Sequence, residues 1–294
     1  MILNYTITKN DITKYSSINE HLTDRLKFSS NLLSKLIRLQ NIKCNNIICD
    51  TRNKPIYDSI LSIDFGYEED NSNIVPNNIK LDIVYEDDWL IVLNKPAGIA
   101  IHPSLLHYDN SLSNGVRFYF DSINLKKKIR PVNRLDFNTS GLVVFAKCEY
   151  IQECLIKQME SHIFKKEYLC IVEGKLSHLS GSINLPIARK DNSIIERVIS
   201  PNGKNAITHY EVLKEFNNFS LVKCSLETGR THQIRVHFSS IGHPLVGDTL
   251  YGHASNILDR QALHSYKLEF VHPITNKKRV FVCDLPNALK KIIE

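Results

Sequence analysis

The sequence predicts an α+β protein in which a mixed, mainly antiparallel β-sheet with peripheral helices follows a small N-terminal α/β module. Three observations support this fold class. Apolar runs of strand length recur from about residue 80 onwards, turn-forming residues separate them, and clear helical periodicity occurs in two short segments. The 294 residues, 43% of them hydrophobic, suffice for more than one ordinary domain with a substantial core.

The first element is an amphipathic helix within SSNLLSKLIRLQN, for which Ser29 or Ser30 is a suitable N-cap. Lys35 and Arg38 lie towards its polar face. Its apolar face consists of Leu32, Leu33, Leu36 and Leu39. The segment EEDNSNIVPNNIK is polar, contains proline and lacks periodicity, which is typical of a linker. We therefore expect a module over residues 1–75 and a second domain over residues 76–294, with few contacts crossing between them.

The second domain begins with strands. LDIVYED and WLIVLNK predict a hairpin, and SGLVVFAK predicts a buried strand. The runs EYLCIVEG, ITHYEVLKEF and FSLVKCSLE add further strands, and Asn217-Asn218 forms the turn between the last two. THQIRVHFSSIG instead has helical spacing, and Gly242 is well placed to end that helix.

Composition limits the class of protein. The net charge of +6 and the isoelectric point near 8.8 favour an anionic partner such as nucleic acid, with a basic surface kept for solubility as the alternative. Seven cysteines without a Cys-x-x-Cys pair predict free thiols rather than a disulfide framework or a zinc site. Neither a signal peptide nor a membrane-spanning run is visible, so we expect a cytoplasmic protein without a membrane partner.

Common cofactor signatures are missing from the sequence. It has no phosphate-binding Gly-x-x-x-x-Gly-Lys-Ser/Thr loop, no Gly-x-Gly-x-x-Gly and no His-Glu-x-x-His, and its twelve histidines are scattered. We therefore expect chemistry that uses side chains alone, with neither cofactor nor metal.

A first candidate site lies in RPVNRLDFNTSGLVVFAK. Asp136 precedes a buried strand, and a carboxylate at the edge of a core needs donors or a cation to offset its desolvation. Arg134 and the polar residues 138–140 are close enough in sequence to supply them. The alternative is a structural aspartate that caps a turn.

A second candidate lies in LETGRTHQIRVHF, where Arg230, His232 and Arg235 crowd the start of a helix. Cations are unfavourable there because the helix dipole is positive at that end. This conflict indicates that they serve a phosphate or a buried carboxylate, while a solvated basic face is the alternative.

These segments resemble the RluA/RluD-type RNA pseudouridine synthases. NRLDFNTSGLVVFAK resembles the catalytic motif of that family, and KKEYLCIVEG its Lys-x-Tyr segment. TGRTHQIRVHFSSIGHPLVGDTLYG resembles its C-terminal signature, and DDWLIVLNKPAGIAIHPS the opening of its catalytic domain. The four blocks occur in the family's order from about residue 80 to residue 294. The N-terminal segment is similar to a two-helix-plus-hairpin RNA-binding module of ribosomal-protein type, although Cys44-Asn45-Asn46 replaces the usual Val-Asn-Gly turn. An unrelated helical cap is the alternative.

The resemblance implies a role for each matching residue. Asp136 would be catalytic, Arg235 would pair with it, and Tyr168 would face the target base. Lys95, His102 and the loop between them would lie at the RNA-facing rim. Many relatives carry histidine where this chain has Asn133. The residues expected to contact RNA are Arg134, Asn133, Lys95, His102, Arg230, His232, Lys35 and Arg38.

The implied reaction converts uridine to pseudouridine and needs no electrons, phosphate or metal. Large-subunit ribosomal RNA is the expected substrate, with transfer RNA as the alternative, and we expect a monomer. Two other classes compete with this interpretation. A nucleoside hydrolase would need a second carboxylate, for which Glu167 is the nearest candidate. A non-catalytic RNA-binding protein would not need both Asp136 and Arg235.

Overall fold

The N-terminal part forms a four-stranded antiparallel sheet covered by short helices. In the computed structural model, which describes residues 1–294, the strand order is β1-β4-β2-β3. The strands are β1 (Ile2–Thr6), β2 (Ile42–Cys44), β3 (Ile47–Ile48) and β4 (Ile60–Asp64). The helices are α1 (Lys9–Lys14), α2 (Ile18–Glu20), which continues into a π-helical turn over His21–Arg25, and α3 (Ser30–Arg38).

Helix α3 confirms the predicted amphipathic segment. Ser29 caps it, because its side chain accepts a hydrogen bond from the backbone N–H of Leu32. The helix buries Leu32, Leu33 and Leu36, whereas Leu39 follows the last helical residue and is exposed. The predicted apolar face is therefore one residue too long, since the chain has left the helix at Leu39.

The remaining strands belong to one ten-stranded sheet and a small two-stranded sheet. The large sheet has the order β10-β13-β14-β9-β15-β8-β6-β5, with β16 beside β15 and β7 beside β8. Its strands are β5 (Ile83–Glu86), β6 (Leu90–Lys95), β7 (Arg130–Pro131), β8 (Ser140–Ala146), β9 (Lys165–Glu173), β10 (Ser180–Asn184), β13 (Ile207–Glu215), β14 (Phe219–Leu226), β15 (Leu263–Val271) and β16 (Lys278–Val282). The small sheet pairs β11 (Ile187–Arg189) with β12 (Arg197–Ile199). The remaining helices are α4 (Leu112–Ser122), α5 (Glu149–Glu160), α6 (Gln233–Ser240) and α7 (Asn287–Ile293).

This architecture confirms the predicted fold class. Only β8 and β15 run parallel to each other, so the large sheet is mixed and mainly antiparallel. The predicted hairpin corresponds to β5 and β6, and the predicted buried strand is β8, all seven residues of which are buried. Helix α6 ends before Gly242, whose φ of +85° is the left-handed conformation that favours glycine at this position.

The two parts of the chain share one hydrophobic core. A cluster of 28 buried residues contains side chains from both. At its centre, the ring of Phe65 lies 6.0 Å from Phe28, 5.9 Å from Trp89 and 5.5 Å from Tyr150. The expectation that few contacts cross between residues 1–75 and 76–294 is wrong.

The segment that composition assigns to a linker is itself packed. Asn71 and Ile74 are buried, and the carboxylate of Glu69 accepts two hydrogen bonds from the guanidinium of Arg130, each of 2.7 Å. A polar, proline-containing sequence can therefore be ordered when buried partners satisfy its polar groups.

The seven cysteines are all free thiols, in agreement with the prediction, and four of them are buried. Cys170 of β9 and Cys224 of β14 are diagonal neighbours, two positions apart in the strand register, with their sulfur atoms 3.5 Å apart. None of the helices has the length and apolar character required to cross a membrane.

Candidate active site

A cleft opens where the loop before β8, strand β9 and the start of α6 meet. Its larger part has a volume of about 290 Å³ and adjoins a smaller pocket between β9 and α6. Asp136 comes from the loop, Tyr168 from β9 and Arg235 from α6, and all three line the smaller pocket. Asp136 is the one carboxylate in the lining of either part.

The loop that carries Asp136 is held from several sides. The backbone N–H of Thr139 donates to the carbonyl of Asp136 at 3.0 Å and closes a turn. Arg260 donates to the carbonyl of Asn138, and the buried ammonium of Lys95 donates to the carbonyl of Phe137. The backbone that carries this carboxylate is therefore held by hydrogen bonds to the carbonyls of Asp136 and of the two residues that follow it.

Arg235 forms ion pairs with two carboxylates. Its Nε and Nη2 donate to Asp248 at 2.7 and 2.8 Å, and its Nη1 donates to Asp136 at 3.1 Å. The side chain of Asp248 is fully buried, whereas that of Asp136 is 23% exposed towards the cleft. Burial opposes the charge of Arg235, but its hydrogen bonds to Asp248 and the negative charges keep the pKa of the guanidinium above its ordinary value. The guanidinium therefore stays charged and orients Asp136.

His232 occupies the N-cap of α6 in the left-handed conformation, with φ +58°. Its Nδ1 lies 2.7 Å from the hydroxyl of Tyr251, and its Nε2 lies 3.8 Å from Asp136. Burial lowers the pKa of His232, and the charge of Arg235 lowers it further against the opposing effect of Asp136. A neutral imidazole therefore faces Asp136 at neutral pH.

These contacts resolve the excess of cations that the sequence places at the start of α6. His232 is neutral there, and Arg235 serves two carboxylates, one of them buried. The prediction of a buried carboxylate partner is confirmed for Arg235. Arg230 remains exposed, and its Nε donates to the carbonyl of Asn205 at 2.9 Å.

Tyr168 and Lys166 share the face of β9 that lines the cleft. Burial raises the pKa of the Tyr168 phenol, and the charge of Asp136 raises it further, so the phenol is protonated at neutral pH. Burial lowers the pKa of the Lys166 ammonium.

Sequence reasoning missed two residues of this site, Lys166 and Asp248. Both lie inside quoted motifs, Lys166 in the Lys-x-Tyr segment and Asp248 in GDTLYG, so the motifs contained a signal for them.

Three residues expected to contact RNA are committed to contacts within the protein. Lys95 does not lie at the solvent-facing rim, because it is fully buried and its ammonium donates to the carbonyls of Pro96, Ile99 and Phe137 at 2.8–2.9 Å. Asn133 is also buried. Its amide donates to the carbonyl of Leu142 and accepts from the N–H of Val144. The ammonium of Lys35 pairs with Glu69 and Glu149.

The other residues expected to contact RNA have accessible side chains, and their role stays a prediction. Arg134, His102, Arg230 and Arg38 are exposed, and His232 is partly exposed. Arg134 and Arg230 line the cleft. His102 lies near Arg134, whose charge adds to burial in lowering the pKa of the imidazole. The RNA-binding role of the N-terminal module is likewise a prediction, for which Arg38 is an available cation.

Comparisons with known proteins agree on one family. Residues 89–240 match the family model described as RNA pseudouridylate synthase. The chain is 43% identical to the uncharacterized RNA pseudouridine synthase YhcT of Bacillus subtilis, over 76% of this chain and 75% of that protein. It is 40% identical to the ribosomal large subunit pseudouridine synthase D of Zymomonas mobilis, over 74% of each chain. The solved structure of human RNA pseudouridylate synthase domain containing 1 is similar over 71% of this chain and 85% of that one, with a TM-score of 0.60 and 27% identity.

Proposed function

The chain belongs to the RNA pseudouridylate synthase family and is an RNA pseudouridine synthase, and we propose that Asp136 is its catalytic group. One observation carries the proposal. Asp136 is the one carboxylate that lines the cleft, and it is oriented there by a guanidinium that a second, buried carboxylate holds in place.

The reaction requires a reactive group beside the sugar. The bond from C1′ of the ribose to N1 of uracil breaks, the base rotates, and a bond from C1′ to C5 forms. C5 then loses its proton and N1 takes one up, so the product is an isomer of uridine. A carboxylate can act at the sugar as nucleophile or as base. The charge of Arg235 favours the ionised form of Asp136. Two hydrogen bonds to Asp248 hold the guanidinium in place, and its third orients the carboxylate of Asp136.

Tyr168 is proposed to hold the uracil ring. Its ring lies on the cleft side of β9, and a phenol there can stack on the base. Because burial and the charge of Asp136 raise the pKa of the phenol, a phenolate is not available at neutral pH. Tyr168 therefore contributes stacking and a hydrogen bond rather than an ionised base for the C5 proton.

The arrangement gives no support to a nucleoside hydrolase. Such an enzyme uses a second carboxylate on the other side of the glycosidic bond. Glu167 and Tyr168 are adjacent on β9, so their side chains lie on opposite faces of the strand. The carboxylate of Glu167 pairs with the ammonium of Lys267 at 2.8 Å. It does not line the cleft.

Large-subunit ribosomal RNA is the proposed substrate. Relatives from Zymomonas mobilis and Nitrosomonas europaea, 40% and 38% identical to this chain, are ribosomal large subunit pseudouridine synthases D. Mapping pseudouridines in ribosomal and transfer RNA from cells with and without this protein tests the proposal. If the cells without this protein lose a pseudouridine from transfer RNA alone, transfer RNA would be the substrate instead.

Replacing Asp136 tests its role. Asp136→Asn and Asp136→Ala should abolish tritium release from RNA labelled at C5 of uridine, since no other carboxylate lines the cleft. RNA affinity should stay within about tenfold of the parent value, because phosphate contacts dominate binding. Asp88→Asn is a matched control, since Asp88 is exposed in the turn between β5 and β6. Turnover by Asp136→Ala would refute the assignment.

A further inference from the structure

A basic pocket adjoins the cleft beside the small sheet formed by β11 and β12. Its volume is about 440 Å³, and its ten lining residues include no aspartate or glutamate. Four of them are cations, namely Arg189, Arg197, Lys204 and Arg230. None of these four forms an ion pair within the chain. The pocket therefore concentrates positive charge that the protein itself leaves uncompensated.

The two arginines of the small sheet face each other across the strands. Arg189 of β11 is the direct register partner of Arg197 of β12. Like charges directly opposite each other in an antiparallel pair are unfavourable. The nearby carboxylate of Glu196 does not relieve this repulsion, because it pairs with Lys190 at 2.6 Å. An anion bound between the two guanidinium groups would relieve it.

The guanidinium groups are oriented in advance and keep free donors. Arg189 donates through Nη2 to the carbonyl of Ile194 at 2.9 Å, and Arg197 donates through Nη1 to the carbonyls of Ile195 and Glu196, both at 2.9 Å. A guanidinium carries five N–H groups, so each arginine retains donors for a ligand. A planar fork held in place suits the oxygen atoms of phosphate.

A close backbone approach holds a further part of the pocket lining, the turn that contains Gly203 and Lys204. A Cβ at Gly203 would lie only 2.5 Å from the backbone of Ile187, so this turn requires glycine. Ile187 and Lys204 exchange backbone hydrogen bonds of 2.9 Å, which places the backbone of Lys204 beside β11. The side chain of Lys204 is exposed, and its ammonium forms neither a hydrogen bond nor an ion pair within the chain.

The pocket is continuous with the cleft that contains Asp136. Gly229, Arg230 and Thr231 line both. The backbone N–H of Arg197 also donates to the hydroxyl of Tyr251 at 2.8 Å, and that hydroxyl is hydrogen-bonded to His232 beside Asp136. The hairpin of β11 and β12 is therefore linked to the site through Tyr251 and His232.

We propose that this pocket binds backbone phosphates of the RNA strand that flank the target uridine. The proposal rests on the proposed function, which brings an RNA strand to Asp136. A nucleotide that leaves its stack to enter the cleft keeps its neighbours attached, so their phosphates must lie beside the opening. The pocket supplies four cations there, with free guanidinium donors and no competing carboxylate.

The salt dependence of RNA binding tests the pocket in the full-length protein. The probe is a fluorescein-labelled RNA hairpin with an all-uridine loop, followed by fluorescence anisotropy over a range of potassium chloride concentrations. In Arg189→Gln combined with Arg197→Gln, the slope of log affinity against log salt should shrink by about 1.4–1.8, and affinity at low salt should fall roughly tenfold or more. Arg189→Lys with Arg197→Lys keeps the charge and should retain most of the slope.

A charge-matched control is available on the other side of the sheet. Lys290→Gln with Lys291→Gln removes two cations from α7, which packs through Leu289 and Ile292 against Ile171. Ile171 and Tyr168 point to opposite faces of β9, so α7 lies away from the cleft. Equal slopes for the double arginine variant and for this control variant would overturn the proposal that the pocket binds RNA phosphates. A different anion or an acidic protein segment would then be its ligand.

Two further measurements separate this proposal from others. Circular dichroism should show that the arginine-to-glutamine pair unfolds at the same or a higher temperature, because a repulsive pair has been removed. If it unfolds earlier, Lys204→Gln takes over the test, with an expected loss of about 0.7–0.9 in slope. Tritium release by the parent protein reports on the proposed function alone. A parent that binds RNA with the expected slopes but releases no tritium would refute that function and not the pocket.

Discussion

A single guanidinium determines the electrostatics of the cleft. Arg235 uses one edge for the buried Asp248 and its remaining nitrogen for Asp136. Asp248 in turn accepts the backbone N–H groups of Leu250 and Tyr251. The buried carboxylate is therefore fully satisfied, and it holds the cation that orients Asp136.

Replacing Arg235 should affect activity and stability together. Arg235→Ala leaves the carboxylate of Asp248 buried without its cation, which should cost about 3–5 kcal/mol of unfolding free energy and abolish tritium release. Arg235→Lys keeps the charge but cannot donate to both carboxylates with a planar fork, so it should recover part of the stability and little activity. Urea unfolding and tritium release provide the two measurements.

The neighbouring Arg230 is the matched control for stability. Because it is exposed and bonds only one backbone carbonyl, Arg230→Ala should change the unfolding free energy by no more than about 0.5 kcal/mol. Equal stability of Arg235→Ala and Arg230→Ala would mean that the pair with Asp248 contributes nothing to the fold.

Lys95 should make stability depend on pH. Burial lowers the pKa of its ammonium from 10.5 to about 7, although the charge of Asp136 opposes the shift. Between these two values the unfolded chain binds a proton that the folded chain has released, so stability should rise as the pH rises. Lys95→Met lacks this titration. Urea unfolding at neutral and at mildly alkaline pH should therefore show a parent that gains stability over the variant, and parallel changes would refute the shift.

The residues of the site differ in how far the sequence could predict them. Asp136, Tyr168 and Arg235 were found through motifs, and the structure brings all three together at one cleft. Lys95 was misplaced because sequence cannot show whether a lysine beside a loop points outwards or folds back onto its carbonyls. Asp248 was missed because its importance comes from a contact with Arg235 that only the packing of the following loop creates.

The junction of β8 and β15 illustrates what a strand contact demands of the sequence. These strands run parallel, and Ser265 pairs with Gly141. A Cβ at Gly141 would lie 2.3 Å from the carbonyl oxygen of Ser265, and the φ of +113° already favours glycine. β8, the strand that follows Asp136, can therefore pair with β15 in this way only with glycine at position 141.

Gly141→Ala should therefore destabilise the protein by about 3 kcal/mol or more, since backbone atoms cannot move aside as a side chain can. Gly242→Ala is the control. Its φ is also positive, but nothing lies within 4 Å of the added carbon, so its cost should be only about 1–2 kcal/mol. Urea unfolding measures both variants. Similar losses would show that backbone conformation, rather than the close approach of two strands, determines the effect.

The elements were predictable where hydrophobic periodicity was strong. The sequence of β8 is mostly one apolar run, and the apolar residues of α3 recur at helical spacing and form one face. Helix α4 was not predicted, because Asn114-Gly115 has the composition of a turn. In the structure, a Cβ at Gly115 would meet the side chain of Ile79 at 3.0 Å. That glycine serves close packing of the helix, and no local pattern distinguishes this from a turn.

At the scale of the whole molecule, the two parts of the chain are joined by charge as well as by packing. Lys35 of α3 pairs with Glu149 of α5 at 3.1 Å and with Glu69 at 3.3 Å. Glu69 also pairs with Arg130 beside β8. Breaking such a network would leave partly buried charges without partners, which adds to the cost of separating the two parts.

We therefore predict that the full chain unfolds in a single cooperative transition. Trp89 is the only tryptophan and lies in the shared core against Phe65, so its fluorescence reports on the junction. Circular dichroism reports on the secondary structure of both parts of the chain. The two urea transitions should coincide, because the first part retains no complete core of its own once the junction opens.

Phe65→Ala provides the decisive variant. Phe65 is fully buried, belongs to the first part of the chain and contacts the second through Trp89 and Tyr150. Its loss should lower the unfolding free energy by about 3–5 kcal/mol in both signals alike. Ile47→Ala is the control, since Ile47 is 73% exposed on β3 and should have almost no effect. Two separate transitions, with only the first shifted by Phe65→Ala, would mean that residues 1–75 fold independently. They would then form a separable module, and the shared core would contribute little to cooperativity.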